Sequence, residues 1–151
     1  MKNQLQTIYG PIKERFLDHQ QKFPFKSHKF PGHMASSQAA CVNLFLPILK
    51  DPKIAIKVLS SVKTDIKEIA VDQLDMGYRI EFWDEPDNVL NDHTYVSGTY
   101  ADIAIAYYDH QDDLNLWLIE LSYQNQSLLL VPVQKARGEQ THMHVRLPMP
   151  F

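Results

Sequence analysis

The spacing of apolar residues changes along the chain, from helical periodicity in the N-terminal half to strand alternation in the C-terminal half. Near the N-terminus, Ile8, Ile12 and Phe16 lie at helical spacing, which predicts a short amphipathic helix over residues 11–21. Proline-containing stretches follow and break regular structure. We therefore assign residues 1–31 to an N-terminal helix and arm.

A second helix is predicted from a stretch that is apolar on almost every side and should be buried. Ser36 or Ser37 is its expected N-cap, and it should end at Pro47 or at the Asp-Pro pair that opens the next helix. That next helix is predicted over residues 52–61, with its lysines facing outward. The pattern over residues 62–74 is weak and indicates either an extension of this helix or a separate short one.

Strand alternation begins at Tyr78. Residues 78–83, 99–108 and 114–121 read as three strands, separated by a polar loop over 84–93 and a turn over 109–113. Three successive strands after helices predict an α/β protein of the α+β type with a mixed sheet.

Composition adds few constraints. With 151 residues, 44% of them hydrophobic and 22% charged, the chain should form one globular domain. The net charge of -3 gives no electrostatic argument for a nucleic-acid partner, although lysines concentrate in the first half and acids between Asp65 and Asp113. A single cysteine, Cys41, predicts a reducing, cytoplasmic environment. The apolar run over 128–133 is too short to span a bilayer, so no membrane association is expected.

Two carboxylates interrupt the two most apolar strands, at Asp102 and Glu120. A charged residue in a buried strand is costly unless it is paired or binds a metal. If the strands form a hairpin, both residues lie equally far from Gln111, so they should be neighbours that repel one another unless a cation lies between them. Mg²⁺, or Mn²⁺ in its place, is the natural cation for oxygen ligands. Two exposed acids in one hairpin are the structural alternative.

Three segments resemble a known family. The run HMASSQAACVNLF over residues 33–45, GTYAD over 98–102 and IE over 119–120 are similar to a restriction-endonuclease-like family of the PD-(D/E)XK superfamily. The resemblance implies an αβββ core and hydrolysis of DNA phosphodiesters with Mg²⁺. In that superfamily an aspartate on one strand and an E-x-K sequence on the next bind the metal and position the attacking water. Asp102 matches the aspartate and Glu120 the glutamate, so both are implied catalytic residues and metal ligands.

The resemblance covers a core over residues 32–121 and then departs from the family pattern. The lysine of E-x-K falls on Ser122, which by strand alternation shares a face with Glu120. A serine has no cationic group to orient water or to stabilise developing charge on a phosphate. We therefore expect a DNA endonuclease fold with little or no cleavage. The alternative is a non-catalytic DNA-binding or protein-binding domain that keeps the fold.

Residues 122–151 are predicted to be an atypical tail, truncated or read out of frame after Glu120, so that the C-terminal αβ part of the fold is incomplete. Codon degeneracy permits a one-base change within the codon of Leu121 that would restore E-x-K in the next frame. Within the tail, residues 127–133 have strand character, whereas the remainder has no clear period and reads as solvated. The pair His142 and His144 has no third ligand nearby in sequence and is read as part of that solvated end, with metal binding as the alternative.

Supporting positions remain open at this level. Glu81 is either an extra acid beside the metal or, as we favour, the exposed half of an edge strand. Ser37 and Gln38 either donate to a phosphate oxygen or serve the start of the helix. Asn43 is polar on an apolar helix, so it needs a partner and is expected to tie that helix to the strands of the site. Cys41 is expected to be a buried structural thiol, and the sequence predicts no oligomeric state.

Overall fold

A computed structural model describes the protein over residues 6–25, 36–83, 100–124, 127–136, 139–142 and 145–148. A short 3-10 helix at Gly10–Ile12 leads directly into the first of three α-helices. These are α1 (Lys13–Lys22), α2 (Ser37–Ile48) and α3 (Pro52–Leu59).

In the described part of the chain, seven strands form one sheet in which every pairing is antiparallel, where a mixed sheet was expected. They are β1 (Ile66–Ile69), β2 (Tyr78–Trp83), β3 (Tyr100–Asp109), β4 (Leu114–Gln124), β5 (Ser127–Ala136), β6 (Glu139–His142) and β7 (Val145–Pro148). β1 and β2 pair with successive parts of β3, and β4 pairs with the other edge of β3. The same arrangement recurs beyond β4, where β6 and β7 pair with successive parts of β5.

The architecture confirms the α+β prediction and the order of one main helix followed by the strands of a restriction-endonuclease-like core. The three predicted strands are present, and each extends by at most three residues beyond its expected bounds. The expected helix over residues 62–74 is wrong. Ile66 and Ile69 instead face the core from β1, because pairing with β3 satisfies their backbone and outweighs a weak helical pattern.

The C-terminal segment also differs from its reading as a solvated end. β5 contains the expected strand, and β6 and β7 add two further strands that the hydrophobic pattern does not indicate. β6 and β7 form by backbone hydrogen bonding to β5, which does not require apolar residues at regular spacing. His142 ends β6, whereas His144 lies outside the described residues.

The helices cover one face of the sheet. α2 lies across β2, β3 and β4, and its nearly apolar surface explains why it is buried there. Its N-cap is Ser36, whose Oγ accepts a hydrogen bond from the N–H of Ala39 at 3.3 Å. The opposite face carries a smaller cluster of buried residues: Phe82, Ala101, Ala104 and Leu118. None of the helices in the described part of the chain is long and apolar enough to cross a membrane.

The N-terminal segment belongs to the same core. Ile8, Ile12 and Phe16 are all buried and join the cluster beneath the helices, as their spacing predicted. α1 begins two residues later than expected, because the 3-10 helix occupies the position of Pro11. Within the described residues 6–25, the N-terminal segment therefore contributes side chains to the core of the domain.

Candidate functional site

Asp102 and Glu120 lie next to the last residues that pair between the two central strands. The pairing of β3 with β4 runs from Tyr108 opposite Leu114 to Ile103 opposite Ile119. The next positions outward in this register are Asp102 and Glu120. Directly opposed residues of antiparallel strands lie about 4.5–5.5 Å apart at their Cα atoms. The hairpin expected from the sequence is therefore present, with the expected register as far as Ile103 and Ile119.

The carboxylate of Asp102 takes part in joining the two strands. Its Oδ2 accepts a hydrogen bond from the backbone N–H of Leu121 at 2.7 Å. The residue is half-buried. A side-chain oxygen thus continues the cross-strand connection just beyond the last paired residues, Ile103 and Ile119.

Cys41 fixes the backbone at the same point from the helical side. Its Sγ donates to the carbonyl oxygen of Asp102 at 3.3 Å, and the thiol is fully buried. Burial raises the pKa of Cys41 well above its ordinary value, and the negative charges of Asp102 and Glu81 raise it further. The buried structural thiol expected from the sequence is confirmed, and the carboxylates of Asp102 and Glu81 are near enough to raise its pKa.

β2 and β3 both change faces at one level of the sheet. Ile80 packs beneath the helices and Phe82 on the opposite face, and Ile103 and Ala101 differ in the same way. Regular alternation would put residues two apart on one face. On β2, Glu81 makes the change with a φ of 53°, a left-handed value that side chains other than glycine rarely adopt.

Glu81 is therefore not the exposed half of an edge strand that we favoured. It is half-buried, and its Oε1 is shielded from solvent. By register it lies opposite Asp102, since Ile80 pairs with Ile103 and Phe82 with Ala101. The sequence contains no signal for this conformation, because a glutamate in an alternating segment is normally an exposed strand residue.

Glu120 lies in a different environment. Its neighbours along β4, Ile119 and Leu121, are buried beneath the helices, whereas Glu120 alternates onto the opposite face and is exposed. It pairs through its backbone with Val131 of β5. Glu120 thus follows directly after the last residue of β4 that pairs with β3, and its side chain is accessible from solvent.

The supporting residues of α2 divide into two groups. Gln38 is buried and Ser37 half-buried at the start of the helix that carries Cys41, whereas the capping role belongs to Ser36. Asn43 was expected to tie α2 to the strands, and that expectation is wrong. Its Nδ2 donates to the carbonyl oxygen of Thr7 at 2.8 Å, and its Oδ1 accepts from the N–H of Tyr9 at 2.8 Å, so it holds the N-terminal segment.

The donor chemistry of the central pair suits a hard divalent cation. Among the side chains that the structure describes, no group of three or more His, Cys, Asp or Glu residues is placed to hold a metal ion. Mg²⁺, however, is commonly bound by one or two carboxylates and completes its shell with water and substrate phosphates. Two carboxylates on neighbouring strands, Asp102 and Glu120, meet that requirement in residue type.

Comparison with known proteins adds one finding. Neither the curated proteins nor the solved structures contain a match to this chain. A family model described as "Restriction Endonuclease associating with ARP" matches residues 1–144. The match continues for 24 residues past Glu120 (144 − 120), which favours family sequence on both sides of that position. The nucleotide sequence would test the out-of-frame prediction directly. Residues 33–35, 98 and 99, which contribute to the resemblance, lie outside the described residues. Since the match covers 144 of 151 residues, the chain belongs to this restriction-endonuclease-related family.

Proposed function

We propose that this chain is a nuclease-like protein that holds Mg²⁺, or Mn²⁺, between Asp102 and Glu120, binds DNA at that site and hydrolyses phosphodiesters poorly. The observation that supports this most directly is the register of β3 and β4, in which the last paired residues, Ile103 and Ile119, directly adjoin Asp102 and Glu120. Membership of a restriction-endonuclease-related family supplies the class of reaction.

In this proposal the chain contributes orientation and charge. A bound metal would polarise the phosphate and lower the pKa of an attacking water. The N–H of Leu121 holds the side chain of Asp102, and the thiol of Cys41 holds its backbone. Asp102 is therefore already ordered before a metal binds, which lowers the entropy cost of binding. Glu120 is exposed and accessible to a solvated ion and a phosphate.

Ser122 is the reason to expect poor hydrolysis. Position 122 follows Glu120 by two residues on β4 and carries no positive charge. Without a cation there, water is less well oriented and charge developing on the phosphate is less well stabilised. The hydroxyl cannot replace either effect.

Metal binding is tested by titrating Mn²⁺ into the wild type and two charge-neutral variants, followed by electron paramagnetic resonance. Asp102→Asn and Glu120→Gln each remove one charged ligand and should weaken binding by more than about tenfold, or 1.4 kcal/mol. Glu68→Gln, at an exposed acid of β1, is the matched control. Equal affinity in all four proteins would refute the metal site.

Hydrolysis is tested by nicking of supercoiled plasmid with Mg²⁺ or Mn²⁺. The wild type should nick slowly, and Ser122→Lys should increase the rate by restoring E-x-K. Adding Glu120→Gln to the lysine variant should abolish that gain. If the wild type nicked efficiently and Asp102→Asn abolished the nicking, the proposal of poor hydrolysis would be refuted. The proposed metal site at Asp102 would then still stand.

A non-catalytic binding domain that retains the fold is the second candidate, and the serine at position 122 is the observation that favours it. The family description also names an association with ARP. Under this second candidate function, the domain would bind its partner as part of such an association. DNA retention that weakens steeply with salt, needs no divalent metal and is unchanged in Asp102→Asn would favour this candidate over the nuclease.

A further inference from the structure

His19 is a buried imidazole at the junction between α1 and the sheet. Only 5% of the residue is exposed. Its ring stacks on Tyr78 of β2, with 5.4 Å between centroids and an interplanar angle of 10°. Phe23 and Phe25, which follow α1, lie at 5.2 and 6.5 Å from the same ring. The imidazole is therefore enclosed by three aromatic side chains.

The enclosure accommodates a neutral imidazole. The Nε2 atom is buried and has no hydrogen-bond partner among the described residues. A protonated imidazole carries N–H groups on both nitrogens and a full positive charge, so Nε2–H⁺ would be desolvated without an acceptor. Burial accordingly lowers the pKa of His19 from 6.5.

The charged side chains around His19 change the free-energy cost of protonating its imidazole but do not remove it. On α1 itself, Arg15 and Lys22 oppose protonation, whereas Asp18 favours it. Asp75, from the segment between β1 and β2, also favours it, but its Oδ1 is engaged by the guanidinium of Arg79 at 2.9 Å. Burial outweighs the two carboxylates, so the pKa of His19 is lowered overall.

We propose that His19 is an acid-released latch, in which its protonation frees α1 and residues 23–25 from β2 while the rest of the domain stays folded. The released helix would hydrate the imidazolium and uncover the ring of Tyr78. Asn43 limits the movement, because it holds Thr7 and Tyr9 on the N-terminal side of α1 through a separate pair of hydrogen bonds.

The direction of the pH effect follows from the lowered pKa of the docked state. The stabilising contribution of docking is complete above pH 6.5, the unfolded value, and is lost as pH falls towards the pKa of docked His19. For each pH unit below 6.5, the released state gains about tenfold in population relative to the docked state until that lower pKa is reached. This inference does not depend on the proposed nuclease function.

Native-state hydrogen exchange at low urea, read at pH 7.5 and pH 5.5 and corrected for intrinsic rates, tests the latch. Amides of α1 should exchange through an opening that is less sensitive to urea than global unfolding, because it exposes only part of the core, and that is more populated at pH 5.5 than at pH 7.5, by at most about tenfold. Amides of β3 should exchange only through urea-sensitive unfolding. If α1 and β3 share one urea dependence at both pH values, α1 is not released separately and the proposal is overturned.

Two variants separate His19 from other acid effects. His19→Phe keeps an aromatic ring against Tyr78 and should abolish the pH dependence of α1 exchange. His110→Phe, at an exposed histidine of the β3–β4 turn, should leave it unchanged. Should His19→Phe fail to fold, NMR titration of the wild-type ring decides the matter. The titration midpoint of the His19 signals should lie below pH 6.5, and a midpoint at or above 6.5 would overturn the latch.

Discussion

Replacing Asp102 with alanine should weaken the fold as well as the candidate metal site. The side chain does more than present a charge, because its Oδ2 accepts the N–H of Leu121 at 2.7 Å across the β3–β4 boundary. Alanine removes this acceptor and leaves a partly buried backbone N–H without its partner. Asp102→Asn retains an oxygen at the same position and provides the comparison.

The size of the effect follows from the type of hydrogen bond. A hydrogen bond to a charged group contributes about 1.5–3 kcal/mol, and an orphaned buried donor costs a similar amount. We therefore expect Asp102→Ala to lower the free energy of unfolding by about 2 kcal/mol. The asparagine variant should lose less than about 1 kcal/mol, because the bond survives in neutral form.

Urea unfolding followed by far-ultraviolet circular dichroism measures both variants. With a urea slope of about 2 kcal/mol/M, the alanine variant should unfold at a midpoint about 1 M below the wild type. Glu120→Gln is the matched control, since that side chain is exposed and surface substitutions usually change stability by less than about 0.5 kcal/mol. If Asp102→Ala unfolded at the wild-type midpoint, the Leu121 hydrogen bond would not hold the strands together.

Three further substitutions test the packing around the site. Asn43→Ala should cost about 1–3 kcal/mol, because it removes two hydrogen bonds of 2.8 Å that hold the N-terminal segment. Gly77→Ala should cost about 1–2 kcal/mol or more, since this glycine has a φ of 83° and an added Cβ would lie 2.6 Å from a side-chain atom of Ile69. Tyr107→Phe should cost about 1 kcal/mol, because its buried hydroxyl donates to Asp65 at 3.0 Å.

Each of these is read from the same urea midpoint, and each has its own contrary result. Gly10→Ala is the control for the glycine, because nothing lies within 4 Å of a Cβ added there. Equal midpoints for the two glycine variants would contradict the strain at Gly77. An unchanged midpoint in Asn43→Ala would mean that the N-terminal segment is held by apolar packing alone, and a stable Tyr107→Phe would mean that water replaces the hydroxyl at Asp65.

Periodicity predicted the elements whose environment is uniform. α2 is apolar on nearly every side and is buried, and the strands predicted from Tyr78 onward are present, although β2 and β3 change faces near Glu81. The register of β3 with β4, as far as Ile103 and Ile119, followed from equal distances to the turn. Local sequence determines these features, because a hairpin pairs residues by counting from its turn.

The features that the sequence did not predict depend on distant contacts. Asn43 faces the N-terminal segment rather than the strands, and a helical wheel does not say which neighbour meets a polar position. Glu81 adopts a left-handed conformation within an alternating segment. β1, β6 and β7 are short strands that lack a clear alternation of apolar and polar residues. Backbone pairing with longer neighbouring strands forms them instead.

The hydrogen bond from Leu121 to Asp102 has a consequence for how relatives of this chain should be compared. An aspartate that helps to join two central strands is under selection for folding, whether or not a metal ever binds. Retention of Asp102 in a relative would therefore say little about activity. Glu120 is exposed and has no comparable structural duty among the described contacts, so its loss or retention is the more informative record of whether a lineage still uses the site.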